Sequence, residues 1–126
     1  MSEEPFEYAV ERPAYKEHPL WIEAMALTHA AYELAERVRP QDPGTARHLR
    51  RAAVAIPAHV AGALSSDDDA RREHVTTALQ ALAELSRQAG RSGGSERAAA
   101  AELSRRAGEL ERAVCFQLGD TDSLVS

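Results

Sequence analysis

Apolar residues in this chain recur in alternating steps of four and three, the repeat that keeps one face of a helix turned toward a neighbour. Leu20, Ala24, Leu27, Ala31, Leu34 and Val38 form the first such stripe, and Trp21 and Met25 widen it. The spacing predicts a helix over 18–38. It stops where Arg39 precedes Pro40, because the residue before a proline is biased out of the helical region. Turn chemistry follows in Gln-Asp-Pro-Gly-Thr at 41–45. Ala46, Leu49, Ala53, Ile56, Val60 and Ala63 then predict a second helix, ending near residue 64. Val75, Ala78, Leu82, Leu85 and Ala89, with Leu79 beside them, predict a third, between the Ser-Ser-Asp-Asp-Asp run at 65–69 and Gly90. Ser66 is its candidate N-cap, and Asp67 to Asp69 suit the positive end of its dipole. Leu103, Ala107, Leu110 and Val114 predict a fourth helix over 96–117, capped by Ser95 and stopped by Gly119.

Four helices joined by short connections predict an all-α fold, an antiparallel up-down-up-down four-helix bundle over residues 18–118. Residues 1–17 read as an extended, flexible N-terminal arm with Pro5, Pro13 and five glutamates, and 119–126 as a polar tail. Phe6, Tyr8 and Tyr15 give the arm a means of docking on a surface or on a protein partner.

The second helix has apolar surface beyond its stripe. No charge interrupts residues 52–64, and Ala52, Ala55, His59 and Gly62 form a second face of short side chains. Such a face admits a close neighbour. With Ile56 and Pro57 it is the candidate subunit contact of a homo-oligomer. Pro57 removes one backbone donor and crowds the carbonyl of Ala53, which predicts a kink costing about 3 kcal/mol in an ordinary helix interior. The bend serves either to wrap the helix around its own domain or to shape a subunit contact.

Composition agrees with the helical reading. Hydrophobic residues make up 44% of the chain but aromatics only 5%, so the core is built mostly from good helix formers such as Ala and Leu. The net charge of −5 sits outside the helices: residues 18–118 hold 13 acidic and 13 basic side chains. That balance disfavours a dedicated nucleic-acid binder, which carries a basic domain. No run is long and apolar enough to cross a bilayer, and no basic start followed by an apolar run marks a secretory signal. The single Cys115 allows no intrachain disulfide. A cytoplasmic protein is expected.

Candidate chemistry is sparse. A carboxylate-bridged metal site in a bundle needs Glu-x-x-His, and no glutamate here has a histidine three residues on. His48 and His59 are about 16 Å apart along one helix, and His29 and His74 lie on others, so surface or interface histidines are expected and no metal site. A metal-dependent enzyme built on these histidines is the third-ranked reading. Cys115, between Val114 and Phe116, reads as a buried inert thiol. Neither a nucleophile elbow nor a glycine-rich phosphate loop is present. No catalytic residue and no cofactor is expected. Arg47, Arg50 and Arg51 share one helix face and are the candidate nucleic-acid contact; pairing with Glu33 and Glu36 of the first helix competes with that role. Glu102 with Arg105 and Arg106, and Glu109 with Arg112, read as ordinary surface pairs.

The run Leu-Arg-Arg-Ala-Ala-Val-Ala-Ile-Pro-Ala at 49–58 resembles the signature of a bacterial four-helix-bundle family, named for proteins encoded in ribosomal-RNA intervening sequences. Trp21 with Ala24, and Leu-Ala-Glu-Leu at 82–85, fit the same pattern, and the likeness covers about residues 18–118. That family is similar to the accessory variability protein of diversity-generating retroelements. The resemblance implies an antiparallel bundle assembling into a homo-oligomer, typically a pentamer. It implies no single molecular function; nucleic-acid binding is proposed for some members and best established for the retroelement branch, which is strongly basic, whereas this chain is acidic overall. The chain departs where the family often carries Asn-Ile-Ala-Glu-Gly: here His59-Val60-Ala61-Gly62-Ala63 stands, and the glutamate is absent. The expected function is a non-enzymatic, self-assembling scaffold or adaptor, with nucleic-acid binding through Arg47, Arg50 and Arg51 as the alternative.

Overall fold

A computed structural model of the chain describes residues 14–119. Among them are four long helices and no strand: α1 (Pro19–Val38), α2 (Pro43–Leu64), α3 (Asp68–Ala89) and α4 (Arg97–Leu118). Short 3-10 turns at Ala14–Glu17 and Gly94–Glu96 precede α1 and α4. Nearly all of the expected arm lies outside the described residues. Its last residues pack, since the Tyr15 ring meets Trp21 edge to face with centroids 5.5 Å apart.

Each start has a local cause. Pro19 and Pro43 occupy first-turn positions, where the missing N–H would have no partner in any case. The Leu20 N–H donates to His18 Nδ1 at 3.1 Å. Thr45 donates twice to Asp42, from its N–H at 3.0 Å and its hydroxyl at 2.7 Å. These two bonds, the hydroxyl's foremost, hold the Asp42 carboxyl below its usual 3.8. Two expected caps differ. Asp67, not Ser66, occupies the N-cap of α3, and the 3-10 turn containing Ser95 delays α4 to Arg97. At the far end of α4 the Gly119 N–H donates to the Cys115 carbonyl at 3.0 Å; a Cβ at 119 would strike that oxygen at 2.3 Å, so a side chain there cannot keep this ending.

Every residue of the four stripes is buried, and together they form one continuous core. Leu27, Leu34, Leu49, Ile56, Val60, Leu82, Leu85, Leu110 and Val114 are its fully enclosed large side chains. At about 1.5–3 kcal/mol for each such burial, this cluster dominates the favourable side of folding. Helix contacts run in a closed order, α1 with α2, α2 with α3, α3 with α4, and α4 with α1. Arg37, at the end of α1, reaches Glu96, just before α4, at 3.3 Å. The α1–α2 and α3–α4 connections therefore share one end of the molecule. Met25 departs from expectation: it is 42% exposed and does not widen the core stripe, which Trp21 does.

Pro57 sits inside α2 and is buried, and the helix continues through it. Its missing N–H deprives the Ala53 carbonyl of its usual partner. The Thr28 hydroxyl of α1 supplies one, donating to that carbonyl at 3.0 Å while also lying 2.9 Å from the Ala24 carbonyl of its own helix. The irregularity in α2 thus becomes a polar tie between α1 and α2.

Candidate interaction surfaces

The face expected to meet a second subunit is largely covered by the chain's own helices. Ile56 is fully enclosed, Ala52 is 7% exposed and Pro57 is buried. Ala55, His59 and Gly62 are half-buried. What covers them is α3: a Cβ on Gly62 would lie 2.6 Å from the His74 ring, and His59 Nδ1 stands 3.0 Å from His74 Nδ1. Short side chains on α2 admit a close neighbour, as the sequence suggests, and α3 of the same chain takes that place. Part of the leftover apolar surface of α2 is thereby accounted for within one chain; Val54 and Ala58 remain exposed.

Exposed apolar surface lies elsewhere. Ile22, Met25 and Tyr32 on α1 and Val54 on α2 are each between 40% and 52% exposed. The Thr28–Ala53 bond fixes where they lie relative to one another. Met25 and Tyr32 sit one turn before and after Thr28, and Val54 follows Ala53, so all three border the outer seam between α1 and α2. Sequence periodicity could not separate Met25 from the core stripe, because one helical step of 100° decides between seam and outer face. Near the end of α4, Phe116 is 88% exposed and Cys115 is exposed beside it, which corrects the reading of a buried thiol.

The arginines at the start of α2 remain open. Arg47 and Arg51 are exposed and Arg50 half-buried. The carboxylates expected to pair with them are engaged otherwise: Glu33 lies 3.7 Å from His29, and Glu36 3.1 Å from Arg39. Among the described residues no carboxylate comes within ion-pairing distance of Arg47, Arg50 or Arg51. On α4, Arg105 bridges Glu102 and Glu109, which raises its already high pKa, while Arg106 crosses to Glu23 of α1 at 3.2 Å.

No described group of three or more histidine, cysteine or carboxylate side chains is placed to hold a metal ion. Two clefts flank α4, one beside the α3–α4 turn and lined by Arg91, Ser92 and Arg97, the other between α1 and α4 around Leu34 and Leu103. No helix among the described residues is long and apolar enough to cross a membrane. In comparisons with known proteins, no family model, curated protein or solved structure matches this chain.

Proposed function

We propose that this protein is a non-enzymatic, self-assembling scaffold. The fold underlying it is an antiparallel up-down-up-down four-helix bundle, supported by the closed order of helix contacts and the two connections that share one end. A pentamer is the stoichiometry that the resemblance to the intervening-sequence family suggests, and a cytoplasmic setting goes with it. The observation that carries the reading is the exposed apolar seam of Met25, Tyr32 and Val54. The occupant is a second copy of the chain: the helical segment holds as many acids as bases, so the helical segments themselves approach without net repulsion. The acidic N-terminal arm is the element left to engage a protein partner.

Light scattering coupled to size exclusion, at two salt concentrations, tests this. A mass of several chains, near five, that collapses to one chain in Met25→Glu/Val54→Glu supports it. A monomer in the unaltered protein refutes it.

A second reading, binding of RNA or DNA through Arg47, Arg50 and Arg51, is favoured by the absence of carboxylate partners for these side chains among the described residues. Its mark is affinity for generic RNA or DNA that falls steeply with salt and is lost in the triple Arg→Gln variant. No binding at low salt refutes it.

A further inference from the structure

We propose that His59 of α2 and His74 of α3 form a chelating pair for a divalent late transition-metal ion of the zinc, nickel or copper class. Their Nδ1 atoms are 3.0 Å apart and their ring centroids 5.2 Å apart. Imidazole nitrogens bound at about 2.0–2.1 Å to one metal stand about 2.9 Å apart at a right angle and about 3.3 Å apart at the tetrahedral angle. The observed separation falls inside that bite, and chelation requires the two rings to turn their Nδ1 lone pairs from each other toward a common point.

The fold builds this approach. Gly62 is the residue that allows it, because any Cβ there would overlap Cε1, Nδ1 and Nε2 of the His74 ring. The flanking positions one turn away, Ala55, Ala63, Ala70 and Ala78, carry only methyl side chains. Both rings are half-buried, so an ion held between them keeps positions open to water. A hydrogen bond between the two Nδ1 atoms needs a proton on one of them, and the tautomers decide which. Chelation needs both Nδ1 lone pairs, which the donor ring provides by moving its proton to Nε2, with no net proton released from the neutral pair. Arg71, one turn from His74, is the neighbouring charge; its Nε donates to the Ala63 carbonyl at 2.9 Å. Its positive charge opposes a dication held nearby.

The pair escapes sequence reading because it joins residues on different helices, with no local spacing to mark it. It is independent of self-assembly and of the arginine face.

The test is calorimetric titration of the tag-free full-length protein with Zn2+, with Co2+ absorption as a second readout. One ion per chain, or one per two chains, at micromolar affinity supports the site. His59→Gln and His74→Gln each abolish that binding, and Arg71→Gln tightens it a few-fold. Gly62→Ala keeps both histidines but displaces His74, and binding is lost there too; circular dichroism confirms that each variant is folded. Zn2+ uptake up to millimolar concentration that matches the double His→Gln variant overturns the proposal and leaves a hydrogen-bonded pair only.

Discussion

The tie between Thr28 and Ala53 gives a sharp energetic prediction. Thr28→Val keeps the shape of the side chain and deletes its hydroxyl. Ala53 is fully enclosed and the N–H that would serve its carbonyl is missing at Pro57, so the substitution leaves a buried acceptor without its donor. A buried unsatisfied group of this kind costs about 1–3 kcal/mol. For a domain of this length, 2 kcal/mol lowers Tm by about 8 °C. In a Pro57→Ala background the restored N–H of residue 57 serves the Ala53 carbonyl within α2. There the same Thr28→Val change costs about 0.5 kcal/mol or less, giving a coupling of about 1.5 kcal/mol between two residues on different helices. Urea unfolding of the four proteins, followed by far-UV circular dichroism, measures the cycle. The Ala24 carbonyl retains its helical partner in every variant and contributes nothing to the difference. Equal costs of Thr28→Val in the two backgrounds would show that the hydroxyl does not replace the bond that proline removes, and the reasoning fails.

Other expectations follow from the same geometry. Leu85→Ala, at a fully enclosed site between helices, costs about 2–5 kcal/mol, read from the shift of the urea midpoint. Gln88 is 7% exposed and its Oε1 has no hydrogen-bond partner, while its Nε2 donates to Glu84 at 2.7 Å. Gln88→Met therefore leaves stability unchanged or raises it by about 1 kcal/mol, and a clear loss in thermal melting would contradict that. Asp42→Ala lowers Tm at neutral pH. Because folding depresses the Asp42 pKa, its contribution is complete above the usual value of 3.8 and fades as pH falls through the lower folded value, so melting curves of the variant and the parent converge in acid.

The sequence by itself determined the helices and their inward faces. The stripes in steps of four and three, the prolines at the helix starts and the glycines near the ends act within a few residues, and every stripe residue from Leu20 to Val114 is buried as its spacing requires. It also marked α2 as a helix with more than one covered side. What covers that side was not legible, because adjacency between helices is set by the packing of whole elements. The short side chains around Gly62 suit a second subunit as well as α3, and the tertiary structure places His74 there. The same holds for the hydroxyl that answers Pro57, which comes from Thr28, far away in the chain. It holds also for the arginines of α2, whose expected carboxylates find nearer partners in His29 on α1 and in Arg39 just after it. Local spacing decides which face of a helix turns inward; which neighbour meets it depends on how all four fill one core.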